Sequence, residues 1–90
     1  MSQKYKLIIL PEAEKQLKKM DKFTSKQILT WLYNNIENTD NPRIHGKALT
    51  SNRTGEWRYR VGSYRILVDI LDQEVQIQVF SIGHRNKIYK

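Results

Sequence analysis

The chain contains no cysteine, only two histidines and only nine acidic residues among its 90. Without thiols there is neither a disulfide nor a thiolate metal site, and His45 and His84 alone do not make a conventional zinc site. The chain therefore reads as metal-independent, with no cofactor expected. No apolar run approaches the ~20 residues that span a bilayer. The opening "MSQKYKLIIL" reaches Pro11 and Glu12 too soon for a signal peptide, so a cytoplasmic protein without a membrane partner is expected. Internal repeats, low-complexity tracts and linkers are also lacking, and the length suits one domain, 1–90, with an adequate core.

Against this scarcity stands a formal net charge of +7 and a pI near 9.8. Such a balance favours an acidic partner: nucleic acid, an acidic protein or an anionic membrane surface. Composition does not choose among them, but the distribution of cations is informative. Arginine is absent from the first forty-two residues, which set seven lysines against five acids; every arginine lies at or after Arg43. Lysines such as Lys15, Lys18, Lys19 and Lys26 read as the solvated face of a helix. Arginine is permanently charged and its planar fork matches phosphate, so the arginine-rich half points to phosphate geometry.

Periodicity organises the chain. "KYKLIIL" (4–10) is a β-prone run ended by Pro11. "PEAEKQLKKM" (11–20) places proline at the first helical position, acids early, lysines late, and Ala13, Leu17 and Met20 along one face. In "FTSKQILTWLYNNI" (23–36), Thr24 with Gln27 matches a capping box and Phe23 with Ile28 a hydrophobic staple, while Ile28, Trp31, Leu32 and Ile36 form the apolar stripe. "NTDNP" (38–42) ends this helix, and 43–55 is a basic, turn-rich connection.

From Glu56 the period becomes two. Trp57, Tyr59 and Val61 alternate with Arg58 and Arg60, Gly62-Ser63 forms a two-residue turn, and Ile66, Val68 and Ile70 alternate with Arg65, Leu67 and Asp69. Val75, Ile77 and Val79 follow beyond Asp72-Gln73. The expectation is an α+β fold: a strand, a two-helix hairpin, then a three-strand antiparallel meander with both helices on one face. Two-residue turns would pair Tyr59 with Ile66, Trp57 with Val68, Ile66 with Val79 and Val68 with Ile77, gathering the large apolar side chains on the helix face.

The opposite face carries the unusual chemistry. The same register sets Arg60 directly across from Arg65, with Arg58 two positions along and Phe80 on the far side of Arg65. Asp69 and Glu56 pair too far along to neutralise them. Opposed like charges cost up to ~1 kcal/mol, a cost relieved when phosphate oxygens enter the cluster and Phe80 or the guanidinium planes stack on bases. "GHRNKIYK" (83–90) emerges beside Arg60 and Arg65, adding Arg85 as a phosphate contact, and His84 and Tyr89 as titratable groups.

The order of elements, together with "GKAL" (46–49), "EWRYRVGSYRI" (56–66) and "FSIGHRNKIY" (80–89), resembles the RelE/ParE superfamily of bacterial toxins from toxin–antitoxin systems across essentially the whole chain. In the RelE branch such proteins are ribosome-dependent mRNA endonucleases. In the ParE branch they poison DNA gyrase without cleavage. The resemblance implies Arg65 at the scissile phosphate, Arg85 stabilising the transition state or leaving group, and Tyr89 as general base, with His84 as its competitor. Lys47, Arg53, Arg58, Arg60, Phe80 and Lys87 are the expected RNA contacts. Arg58 and Arg60 stand where some ribonuclease members have lysine; they preserve charge but do not transfer protons. The chain also ends right after Tyr89, without the longer C-terminal helix of some relatives.

The joint presence of Arg65, Arg85 and Tyr89 favours an mRNA interferase of the RelE type, cleaving mRNA in the ribosomal A site by metal-free attack of the RNA 2′-hydroxyl. Its implied partners are the ribosome and a RelB-like antitoxin. The alternatives are a gyrase inhibitor on the same fold and a non-catalytic basic nucleic-acid-binding module.

Overall fold

The computed structural model describes residues 3–48 and 56–84. Its elements are β1 (Lys6–Ile9), α1 (Pro11–Lys19), α2 (Lys22–Asn35), β2 (Lys47–Ala48), β3 (Glu56–Val61), β4 (Tyr64–Leu71) and β5 (Gln76–His84). The strands form one mixed sheet in the order β1, β5, β4, β3, β2. The expected α+β arrangement is present, and β1 runs parallel to β5, with Leu7 beside Ile77 and Ile9 beside Val79.

α1 starts as its sequence dictates, with Pro11 in the first turn, Glu12 and Glu14 near the positive end of the helix dipole and Lys18 and Lys19 near the negative end. α2 departs from expectation at its start. Asp21, not Thr24, is the cap: its carboxylate accepts the Thr24 backbone N–H at 3.0 Å and the Thr24 hydroxyl at 2.7 Å. Only Met20 and Asp21 separate the helices, so α2 begins before Thr24. Phe23 then falls in its first turn and is 77% exposed, while Ile28 is fully buried, so the anticipated staple is not formed.

One core holds the layers together. Leu7, Ala13, Leu17, Ile28, Leu32 and Ile36 meet Tyr59, Val61, Ile66, Val68, Ile70, Ile77, Val79 and Ile82. α1 lies over β5 and α2 reaches β3. Each fully buried isoleucine or leucine stabilises by roughly 1.5–3 kcal/mol. Among the described residues, no helix is long and apolar enough to cross a membrane.

The β3–β4 hairpin has the expected register: Trp57 pairs with Val68, Tyr59 with Ile66, Arg60 with Arg65 and Glu56 with Asp69. Gly62, at φ 60°, takes the left-handed conformation required by the tight turn. The β4–β5 register differs from expectation. Asp72 to Val75 form a longer turn, closed by the Val75 N–H on the Asp72 carbonyl at 3.2 Å, so Val68 pairs with Val79 and Ile70 with Ile77. A register shift then occurs at Leu67/Val68, after which Ile66 pairs with Ile82 and Arg65 with Gly83. Phe80 is the extra residue of this bulge and does not flank Arg65. The two-residue lengthening of the turn preserves facing; the bulge reverses it, so Ile77, Val79 and Ile82 all reach the core although 79 and 82 differ in parity.

The segment between α2 and β2 is anchored to the sheet. Tyr59 donates its hydroxyl to the Pro42 carbonyl at 2.6 Å and Trp57 donates its indole N–H to the His45 carbonyl at 2.6 Å. Trp31 lies against both the His45 and Tyr59 rings, each 5.5 Å away between centroids. Gly46, at φ 79°, sits so close that a Cβ would fall 2.1 Å from the Arg58 carbonyl oxygen. This close approach delivers Lys47 to its place beside Arg58.

Candidate nucleic-acid interface

The alternation that buries Tyr59 and Val61 in the core, with Trp57 packed against it, sends Arg58 and Arg60 to the opposite face. Cross-strand pairing assembles two adjacent rows there. One runs Lys47, Arg58, Leu67, Ser81; the other runs Arg60, Arg65, Gly83. Paired strands lie ~4.8 Å apart and same-face neighbours ~6.8 Å along a strand, so four long cationic side chains share a patch comparable to a phosphodiester and its neighbours. Arg60 is exposed, whereas Arg58 and Arg65 are half-buried. The Arg65 Nε is shielded from solvent.

Acids grade this face. Glu56 and Asp69 form the next row beyond Lys47 and Arg58, two rows from Arg60 and Arg65. The face is therefore acidic toward the start of β3 and cationic toward the Gly62 turn.

Of the residues expected from the sequence, Lys47, Arg58, Arg60 and Arg65 are brought together. Phe80 falls in the bulge, just beyond the last residue of β5 paired with β1, and is half-buried. His84 pairs with Tyr64 rather than with Arg65, its ring edge-on to the tyrosine at 5.5 Å. That row continues through Val61, so its Cβ positions belong to the helix-bearing face, out of phase with Arg65. Arg53, Arg85, Lys87 and Tyr89 lie outside the described residues.

Arg43 stands apart from the other arginines. It donates to both carboxylate oxygens of Asp72, at 3.0 and 2.8 Å, while Tyr5 donates its hydroxyl to the same carboxylate at 2.7 Å. The guanidinium also lies 6.0 Å from the centroid of Trp57. The bonds from Arg43, then that from Tyr5, hold the Asp72 carboxyl below the usual carboxylate range. The Tyr5 hydroxyl is pushed up, mainly by its bond to Asp72, and burial pushes up that of Tyr59. Both phenols are thereby less suited to accepting a proton at neutral pH. Among the described residues there is no group of three His, Asp or Glu close enough to hold a metal ion.

Sequence reasoning missed Gln16. Its Oε1 accepts the Ile82 N–H at 2.6 Å where β5 runs past the end of β1, and its Nε2 lies 3.5 Å from the Ser81 hydroxyl. The available signal was a polar residue on the apolar stripe of α1, three residues after Ala13 and four before Met20.

The fold, a two-helix layer on a mixed sheet, is shared with toxins of bacterial and archaeal toxin–antitoxin pairs. The model of the ParE toxin of type II toxin–antitoxin systems (parDE) matches residues 7–89. Over 91% of its length the chain superposes on the toxin–antitoxin complex RelBE2 from Mycobacterium tuberculosis, covering 92% of that chain with a TM-score of 0.79 and 22% identity. A variant of Escherichia coli RelE in the free state gives a TM-score of 0.72 at 23% identity, covering 90% of this chain and 83% of that one. The RelE–RelB complex from Pyrococcus horikoshii gives 0.71 at 21% identity, covering 93% and 98%. No curated protein matches the sequence. The chain belongs to the ParE toxin family, within the RelE/ParE superfamily. It is a toxin of a type II toxin–antitoxin system.

Proposed function

We propose that this toxin is a ribosome-dependent mRNA interferase. The observation that carries the reading is the convergence of Lys47, Arg58, Arg60 and Arg65 in two adjacent rows, with Arg60 set across from Arg65. This arrangement sets like charges across the ladder, in a geometry that suits an RNA backbone.

In this reaction the RNA 2′-hydroxyl attacks the adjacent phosphorus. The bond to the 5′-oxygen breaks, leaving a 2′,3′-cyclic phosphate and a 5′-hydroxyl. The proton of the attacking hydroxyl passes to a general base, and the leaving oxygen must gain one. Arg65 holds the scissile phosphate and stabilises the charge of the pentacovalent state, a task in which preorganised cations are most effective. Arg58 and Arg60 add field without proton transfer, because a guanidinium stays protonated. Arg85 serves the transition state or the leaving group. Tyr89 is the base; the pairing of His84 with Tyr64, out of phase with Arg65, makes His84 the weaker competitor. The ribosome supplies mRNA in the A site and the orientation that so small a protein lacks. A RelB-like antitoxin holds the toxin inactive, a partnership supported by the complexes among the structural neighbours.

A second reading, inhibition of DNA gyrase without cleavage, is favoured by the ParE family match. One experiment separates them: purified toxin is incubated with programmed ribosomes, with free mRNA, and with gyrase and relaxed plasmid. Cleavage confined to ribosome-bound message, giving 5′-hydroxyl ends, is expected. Intact message with blocked supercoiling would transfer the protein to the gyrase reading. Tyr89→Phe should slow single-turnover cleavage roughly 10²–10⁴-fold while leaving ribosome binding intact. An unaltered rate beside an inactive His84→Gln variant would move the base to His84.

A further inference from the structure

The bulge that moves Phe80 away from Arg65 creates a different feature at the free end of β5. Beyond Ile9 and Val79 the parallel partner strand stops, while β5 continues to His84. Between this free edge and α1 lies a groove of about 670 Å³, within the ~300–1,000 Å³ range of small-molecule sites. Phe80, Leu67 and Met20 supply aromatic, aliphatic and thioether surface; Gln16, Lys19 and Gly83 complete the part that concerns recognition.

Two properties connect the groove to the basic face. Gly83 lines it and is also the cross-strand neighbour of Arg65, without a Cβ to separate the two spaces. Leu67 lines it and belongs to the row of Lys47 and Arg58. The polar group inside has a defined orientation. Because the Ile82 N–H is a donor, the Gln16 atom facing it at 2.6 Å must be the carbonyl oxygen. The amide nitrogen is thereby turned toward Ser81, where it presents N–H donors.

We propose that this groove receives one unpaired nucleobase adjoining the phosphate bound at Arg65, the base packing on Phe80 and offering an acceptor edge to the Gln16 amide. The inference rests on the RNA reading of the basic face and adds a base-recognition site to it. An aromatic surface beside a cationic track is how single-stranded nucleic acid is commonly held, stacking serving any base and an oriented amide selecting among them.

The test uses the full chain and a fluorescently labelled, non-cleavable 2′-O-methyl oligoribonucleotide, compared by anisotropy with versions lacking the base at one position each. One abasic position should weaken wild-type binding roughly fivefold to a hundredfold. In Phe80→Leu, which keeps apolar bulk but removes the ring, that position dependence should disappear while the melting temperature is retained. Gln16→Met should flatten the preference among bases at the same position. Arg65→Ala should weaken intact and abasic strands by the same factor. Equal wild-type affinity for every abasic strand, or an undiminished penalty in Phe80→Leu, would overturn the base site while leaving the RNA reading standing. Failure of the wild type to bind any strand would also overturn the base site, whereas the RNA reading stands or falls separately on cleavage of ribosome-bound message.

Discussion

At one end of β4, Arg43 shares two hydrogen bonds with Asp72 and lies 6.0 Å from the Trp57 ring centroid; at the other, Arg65 faces Arg60 across the ladder. The same side chain is used in opposite ways. Arg43 is neutralised by a carboxylate in fork geometry and ties the segment before β2 to the β4–β5 turn, so its charge serves architecture. Arg60 and Arg65 set two cations side by side on the sheet face, Arg60 exposed and Arg65 half-buried. The contrast teaches that arginine content alone does not mark a binding face; what marks it is the gathering of several cations in adjacent rows of one strand register.

The strongest way to break the structural end of this comparison is Gly46→Ala. It places a methyl group 2.1 Å from the Arg58 carbonyl oxygen on a backbone at φ 79°, and should cost roughly 2–6 kcal/mol. Chemical denaturation would measure it; a change below ~1 kcal/mol would mean that the 42–46 segment lifts freely from the sheet.

Arg65→Ala should act at the other end and in the other observable. Loss of one transition-state charge contact is worth ~3 kcal/mol, roughly a hundredfold or more in rate. Stability should change by less than ~1 kcal/mol, the relief of the opposed charge on Arg60 offsetting the loss of Arg65's own interactions. Wild-type growth arrest by this variant would remove Arg65 from the site.

Tyr59→Phe is expected to have an intermediate, purely structural effect. It leaves the buried Pro42 carbonyl without its 2.6 Å donor, at about 1–3 kcal/mol. Thermal melts should fall while the single-turnover rate at low temperature is kept. A rate loss without destabilisation would show that the anchored segment tunes the basic face through Lys47.

The smallest effect belongs to Asp72. Its folded-state pKa lies below the unfolded value of about 3.9, so its contribution is present above that value and is lost as pH falls through the folded pKa. The pair is 40% and 53% exposed, and solvent screening limits the contribution to less than ~1 kcal/mol. Asp72→Asn should therefore flatten the acid limb of the stability curve slightly, and added salt should diminish the difference. An unchanged acid limb would reduce the Arg43–Asp72 contact to a geometric coincidence.

The two ends also differ in how far sequence reading reached them. Along 56–71, a period of two and a two-residue glycine turn leave only one register that buries Trp57, Tyr59, Ile66 and Val68 together; the opposition of Arg60 and Arg65 follows from local rules. The start of α1 at Pro11 and the apolar stripe of α2 are local in the same sense. The spacing of Val79 and Ile82, three instead of two, carried a trace of the bulge, but choosing where β5 shifts depends on which residues the helices cover.

What the sequence by itself determined is the hairpin, the two helices and the concentration of arginine on one strand face, because each depends on neighbours within a few residues. The tertiary structure alone decided the parallel docking of β1 on β5, the diversion of Arg43 to Asp72 twenty-nine residues away, the approach of Gly46 to the Arg58 carbonyl, and the reach of Gln16 to Ile82 across sixty-six residues. Those contacts join residues far apart in the chain, so they depend on the common core that brings distant polar groups close enough to require partners.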